Sequence, residues 1–182
     1  MRKLLFLICL ALFINFLLSG CQNSSKTSSA NYSDVEALVE DAKSRIKELP
    51  LSEFEALQES EEYFVLLDVR SKDEHNQGYI PGSVLIPRGS LEFKVSNEAF
   101  WDNEGLYLPE KTDKLVLYCK SGKRSALAAD ALQKLGFENV IALAGGFNAW
   151  KAAYPSEVEV NLPPITSQGS TPVTVEEDAG GC

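Results

Sequence analysis

Residues 115–125 decide the fold, and they read Leu-Val-Leu-Tyr-Cys-Lys-Ser-Gly-Lys-Arg-Ser. The stretch opens with four apolar residues, a run that is typical of a parallel strand covered on both faces. From Ser125 onward the sequence is rich in alanine and leucine, and Gly136 supplies a stop signal, so we predict a helix there. Cys119 therefore lies in a very short loop between a strand and a helix.

The position of Cys119 favours a reactive sulfur. A tight loop before a helix turns its backbone N–H groups toward one centre, and the helix dipole adds positive potential there. Lys120, Lys123 and Arg124 add three cations to the same loop. We therefore predict that Cys119 is a thiolate nucleophile near neutral pH. An unreactive cysteine at the end of a buried strand is the alternative, and the basic loop argues against it.

The loop resembles the active-site loop of rhodanese-type sulfurtransferases, in which the cysteine carries a persulfide sulfur. Cys119 is followed by four residues and then by Arg124 and Ser125. Other stretches that resemble the family follow in the matching order, namely Leu67–Arg70, Gly78–Ser83 and Leu143–Trp150. The resemblance covers roughly residues 52–155, and four matching pieces in order make it specific.

The resemblance implies a set of site residues and a chemistry. Cys119 would be catalytic, and the substrate would be bound by Lys120, Ser121, Gly122, Lys123, Arg124 and Ser125. The implied partners are a small anionic sulfur donor and a thiol or other nucleophilic acceptor, and the chemistry requires no metal or organic cofactor.

Asp68 and Arg70 should lie at the same sheet edge as Cys119, because ligand sites of open α/β sheets form at the carboxyl ends of the strands. A structural ion pair that ties down a loop and a direct role in binding the substrate are equally good interpretations of these two residues. We therefore treat them as indirect supports of the site. The family usually has His where this chain has Tyr79, and an aromatic residue where it has His75. Neither position belongs to the sulfur-carrying loop.

The alternation of strand and helix patterns predicts an α/β fold, a rhodanese-like parallel sheet with helices on both faces. We assign this domain to residues 51–155. A separate helix is predicted over residues 33–50, because Ser33–Glu36 reads as a capping box and apolar residues follow at helical spacing up to Leu49. A second capping box, Ser52–Glu55, predicts a short helix that ends before Ser60.

The N-terminal residues 1–20 resemble a bacterial lipoprotein signal peptide. Met1–Lys3 is basic, and Leu4–Leu18 is an apolar run of fifteen residues interrupted only by Asn15. This run is shorter than a membrane span usually requires. The run ends in Leu-Ser-Gly before Cys21, which resembles the lipobox in which the cysteine becomes lipidated. An uncleaved anchor helix is the alternative. Residues 22–32 are polar and rich in serine, which predicts a flexible tether.

Lipidation at Cys21 would attach the protein to a membrane of the cell envelope, since more than one acyl chain gives stable anchoring. Gln22 replaces the Asp that retains many Gram-negative lipoproteins at the inner membrane. In a Gram-negative source we therefore expect attachment to the outer membrane, facing the periplasm. The composition of residues 156–182 predicts a flexible acidic tail that ends in Cys182. Cys182 could attack a persulfide on Cys119 and accept its sulfur, form a disulfide with Cys119, or remain an unpaired thiol.

The composition narrows the function classes. A chain of 182 residues has room for one domain with flanking segments, and its net charge of −9 argues against nucleic acid as a partner. Four cysteines match no zinc spacing, and a single histidine argues against a histidine-based metal site. A non-catalytic binding module and a cysteine phosphatase or arsenate reductase remain as alternatives to the sulfurtransferase. Phosphatase loops usually place five residues between Cys and Arg, whereas this loop has four.

Overall fold

A computed structural model describes residues 31–161, which contain a five-stranded parallel sheet with helices on both faces. The strands are β1 (Lys47–Leu49), β2 (Val65–Asp68), β3 (Val84–Leu85), β4 (Lys114–Tyr118) and β5 (Asn139–Leu143). The helices are α1 (Val35–Lys43), α2 (Leu51–Glu59), α3 (Lys72–Asn76), α4 (Leu91–Lys94), α5 (Glu98–Asn103), α6 (Lys123–Lys134) and α7 (Gly146–Ala153), with a 3₁₀ turn at Arg88–Ser90. The predicted signal peptide, lipidated Cys21, nearly all of the tether, most of the tail, and Cys182 lie outside the described residues.

The sheet has the order β1-β5-β4-β2-β3, and every neighbouring pair is parallel. Alternate residues of β4 enter two different cores. Leu115 and Leu117 pack with α4, α5 and α6, whereas Val116 and Tyr118 pack with α2 and α7. Because both faces of β4 are covered, its apolar run has no polar alternation. The predicted α/β fold with helices on both faces is confirmed.

The sheet brings β2 and β4 to a common edge. Asp68 is the register partner of Tyr118, so the residues that follow the two strands begin side by side. The ladder continues past the strands, since the Val69 N–H donates to the Tyr118 carbonyl at 2.9 Å. Cys119 and the Asp68–Arg70 segment therefore lie at the same edge of the sheet. None of the helices among residues 31–161 has the length and apolar character needed to cross a bilayer.

The prediction of one helix over residues 33–50 is wrong in its second half. Helix α1 ends at Lys43, and Lys47–Leu49 instead forms β1 against β5. Pro50 explains why the helix does not continue to Leu49, because the residue before a proline is disfavoured in helical conformation. Leu49 is buried in this extended position and pairs in register with Leu143.

Both predicted capping boxes are also displaced. Asp34 rather than Ser33 caps α1, and its carboxylate accepts the Ala37 N–H at 2.8 Å. Helix α2 begins one residue before Ser52, with Pro50 at its N-cap and no side-chain capping bond. Proline suits this position because it fixes the backbone angle and has no N–H that would be left without a partner. The short helix itself is confirmed, and it ends at Glu59.

Candidate active site

Cys119 lies between the end of β4 and the start of α6, with its sulfur facing the loop. Gly122 is the N-cap of α6 and has a φ of 95°, a left-handed conformation that favours glycine. This conformation lets the Gly122 N–H donate to the Cys119 Sγ at 3.2 Å. The sulfur thus lies near the positive end of a twelve-residue helix.

Ser125 supplies a second donor for the sulfur. Its hydroxyl lies 3.7 Å from the Cys119 Sγ and 3.0 Å from the Gly122 carbonyl oxygen, and the residue is fully buried. One hydroxyl proton serves only one acceptor fully at a time. The Ser125 hydroxyl is thus shared between the Gly122 carbonyl oxygen and the Cys119 sulfur.

Helix α7 fixes the loop from the other side. The N–H groups of Phe147 and Asn148 donate to the carbonyl oxygens of Cys119 and Lys120 at 2.8 and 3.0 Å. Gly145 and Gly146 make this approach possible, with φ values of 72° and 56°. A Cβ on Gly146 would collide with the Cys119 carbonyl oxygen and would lie 3.1 Å from the Gly122 nitrogen. The glycine pair therefore sets how closely α7 approaches the cysteine loop.

We expect Gly146→Ala to lower the free energy of unfolding by about 2 kcal/mol, because the methyl group adds overpacking to a left-handed backbone conformation. Chemical denaturation measures this loss. Gly89→Ala is the matched control, since a Cβ there meets no atom within 4 Å and the backbone angle is not positive. Equal stability of the two variants would contradict the tight contact between α7 and the loop.

The three cations of the loop lie in different surroundings. Lys123 pairs with Glu36 of α1 at 2.6 Å, and both side chains are exposed. Arg124 donates through both terminal nitrogens to Glu74, each at 2.7 Å, and it also interacts with Cys119. Lys120 is exposed and has no carboxylate partner among the described residues. Two of the three expected cations are thus neutralised by carboxylates.

A pocket of about 200 Å³ adjoins this loop. It is lined by Arg70, Glu74, Gln77, Lys120, Phe147, Asn148 and Lys151. Cys119 is only 1% exposed and does not line the pocket, but it immediately precedes the lining residue Lys120. Of the predicted loop residues only Lys120 lines it, while Ser121 is exposed elsewhere on the loop.

The sequence analysis missed several residues of the pocket. Glu74 belongs to the capping box that starts α3, a pattern that indicates a helix start and no chemistry. Asn148 and Lys151 lie on α7, where only the docking of that helix brings them to the pocket. Lys151 has no carboxylate partner among residues 31–161, so it joins Lys120 as an unpaired cation.

Asp68 and Arg70 form a buried ion pair beside the pocket. Asp68 is fully buried and Arg70 is 3% exposed, and Arg70 Nη2 lies 2.6 Å from an Asp68 carboxylate oxygen. The same nitrogen donates to the Gly78 carbonyl at 2.8 Å, so Arg70 ties down the loop after α3. The guanidinium also lies 4.1 Å from the centre of the Phe147 ring. Burial alone would raise the pKa of Asp68, but hydrogen bonds from His75 and Arg70 outweigh burial and lower it.

The two positions that depart from the family pattern contact each other. The rings of His75 and Tyr79 stack with centroids 4.1 Å apart, and His75 Nδ1 lies 2.9 Å from an Asp68 carboxylate oxygen. The family pattern places its aromatic residue and its His the other way round. Either order gives one imidazole and one aromatic ring at these two positions, and in this chain the two rings stack.

Comparison with known proteins identifies the family of this domain. A model of the rhodanese-like domain matches residues 50–153. A putative mitochondrial thiosulfate sulfurtransferase of Schizosaccharomyces pombe is 42% identical over 88 residues, which cover 47% of this chain and 62% of that protein. The chain therefore matches less than two thirds of the length of this relative.

Solved structures agree with the sequence match. The human single-domain sulfurtransferase is 32% identical with a TM-score of 0.54, and the match covers 58% of this chain and 95% of that chain. A protein of unknown function from Rhodopseudomonas palustris, described as a possible tyrosine phosphatase, is also 32% identical with a TM-score of 0.57. That match covers 68% of this chain and 93% of the other.

Proposed function

The chain belongs to the family of rhodanese-like domains, and from that premise we propose that it is a sulfurtransferase that carries sulfur as a persulfide on Cys119. One observation carries the proposal most directly. The Cys119 sulfur accepts the Gly122 N–H at 3.2 Å at the start of α6, where a negative charge on sulfur is stabilised. The same environment suits the thiolate before transfer and the terminal persulfide sulfur after it.

In the first step the Cys119 thiolate attacks the sulfane sulfur of a donor such as thiosulfate. A bond forms between the two sulfurs, and the bond between the sulfane sulfur and the sulfonate group breaks. The electron pair of the broken bond leaves with sulfite, so three negative charges enter the step and three leave it. Lys120 and Lys151 provide the positive potential that draws an anion into the pocket.

In the second step a thiolate acceptor attacks the outer sulfur of the persulfide. The bond between the two sulfurs of Cys119 breaks, and the electron pair returns to the cysteine as a thiolate. The acceptor leaves as a persulfide, and the enzyme is restored without an oxidant or a reductant. The Gly122 N–H and the Ser125 hydroxyl serve as hydrogen-bond donors to the sulfur in both steps.

Steady-state assays that pair thiosulfate with cyanide or with a thiol test this proposal. Thiocyanate from cyanide, or a persulfide from the thiol, is the expected product. The name given to the Rhodopseudomonas palustris relative makes phosphate-ester hydrolysis the competing activity. Turnover of p-nitrophenyl phosphate without sulfur transfer from any sulfane donor would replace the sulfurtransferase by a cysteine phosphatase.

We also propose that the domain is held at the cell envelope by lipidation of Cys21, on the sequence pattern alone. Expression of the full chain in a bacterium with a lipoprotein pathway tests this. The chain should fractionate with membranes, and Cys21→Ala should not be processed or lipidated. Equal processing and lipid labelling of both chains would contradict the anchor.

A further inference from the structure

Glu74 forms an ion pair with the guanidinium of Arg124 at the edge of the pocket. Nη1 and Nη2 of Arg124 each donate to a different carboxylate oxygen of Glu74 at 2.7 Å. These are the two donors with which an arginine would otherwise bind two oxygens of an anionic ligand. An anionic sulfur donor that needs this pair of donors must therefore compete with Glu74, and any anion meets an Arg124 whose charge is already balanced.

The carboxylate of Glu74 is also held from its other side. Its Oε2 accepts the Ser71 N–H at 3.1 Å and lies 3.2 Å from the Ser71 hydroxyl, which is the capping box of α3. Hydrogen bonds from Arg124 lower the pKa of Glu74 to about 2, against the opposing effect of partial burial. The pocket thus keeps a fixed negative charge at neutral pH.

The remaining charges of the pocket are few. Arg70 lines it but is paired with the buried Asp68, just as Arg124 is paired with Glu74. Lys120 and Lys151 are the lining cations without a carboxylate partner in the described part of the chain. The positive potential is therefore smaller than the number of basic side chains suggests.

We infer that Glu74 is a specificity-determining residue that disfavours dianionic sulfur donors and favours monoanionic ones. The inference rests on the proposed function, because it names the class of donor that Cys119 accepts. Coulomb repulsion grows in proportion to the charge of the donor, so a fixed carboxylate repels a dianion about twice as strongly as a monoanion at the same distance. Glu74 also takes the pair of donors formed by the two terminal nitrogens of Arg124, which could otherwise bind two oxygens of a sulfonate.

Thiosulfate and methanethiosulfonate form a matched pair for the test. Both carry one sulfane sulfur on an oxidised sulfur atom, but a methyl group replaces one charged oxygen in the second donor. We expect Glu74→Gln to raise the ratio of kcat/KM for thiosulfate to that for methanethiosulfonate about tenfold, which corresponds to about 1.4 kcal/mol. The change should come mainly from a lower KM for thiosulfate.

Glu36→Gln is the matched control, since it also removes a carboxylate that neutralises a cation of the same loop, Lys123. Glu36 does not line the pocket, so this variant should leave the ratio within about twofold of the parent. A residue that only positions Arg124 would change kcat/KM for both donors by the same factor. An unchanged or lower ratio in Glu74→Gln would thus overturn the inference.

Calorimetry in a Cys119→Ser background separates this inference from the proposed function, because thiosulfate can then bind but not react. Adding Glu74→Gln should tighten thiosulfate binding about tenfold. If the parent takes sulfur from both donors while ratio and affinity stay unchanged, only the inference about Glu74 fails. If the parent takes sulfur from no sulfane donor, the proposed function fails, and the donor specificity fails with it.

Discussion

Cys119→Ser is expected to abolish sulfur transfer, with a loss in kcat/KM of at least about a thousandfold. A serine hydroxyl is not ionised near neutral pH and cannot hold a sulfur atom as a persulfide. The substitution is nearly isosteric, and the Gly122 N–H and the Ser125 hydroxyl remain as partners for the new oxygen. The free energy of unfolding should therefore change by no more than about 1 kcal/mol.

Assays of thiosulfate turnover, run beside chemical denaturation of both chains, check this expectation. Turnover by Cys119→Ser at a rate close to that of the parent would show that sulfur passes through another group. A non-catalytic binding module makes a different prediction, because parent and variant would then be equally inactive with every sulfane donor. The denaturation curves establish that any loss of activity comes from a folded protein.

Asp68→Asn is expected to have the largest effect on stability, a loss of about 4 kcal/mol in the free energy of unfolding. The substitution keeps the shape of the side chain but removes the charge that compensates Arg70, which is 3% exposed. His75 would also lose its carboxylate partner, which lies 2.9 Å from Nδ1 in the parent. Urea denaturation at neutral pH measures the loss.

Two further variants identify the cause of the stability loss in Asp68→Asn. Adding Arg70→Gln to Asp68→Asn removes the uncompensated buried charge, so the double variant should be more stable than Asp68→Asn alone. Glu92→Gln is the control, because it breaks the half-exposed ion pair between Glu92 and Arg88, which lie four residues apart. This variant should lose no more than about 0.5 kcal/mol in the free energy of unfolding. A double variant that is less stable than Asp68→Asn would contradict a role for the buried charge.

Local sequence patterns predicted the strand and the helix around Cys119, because adjacent residues determine each of these elements. The apolar run before Cys119 forms β4, and the alanine-rich stretch after it forms α6. The stretch Leu143–Trp150, part of the family resemblance, contains Gly145, the N-cap of α7, and Gly146, its first residue. The placement of Asp68 beside the cysteine loop followed from the rule that parallel strands end at one edge.

Other features depend on contacts between distant segments, which local patterns do not contain. Lys47–Leu49 becomes a strand because β5 offers an open edge, and helical spacing up to Leu49 concealed this. Arg124 looks like a free cation in the sequence, yet Glu74 lies fifty residues away and meets it only in the folded chain. Lys151 reaches the pocket only through the docking of α7.

Intact mass spectrometry of the purified chain tests the central claim most directly. The parent and Cys119→Ser are reduced, treated with thiosulfate or methanethiosulfonate, and weighed before and after addition of cyanide. The account predicts that the parent gains one sulfur atom that cyanide removes, and that the variant gains none. No gain by a reduced parent with either donor, or an equal gain by the variant, would contradict persulfide transfer through Cys119.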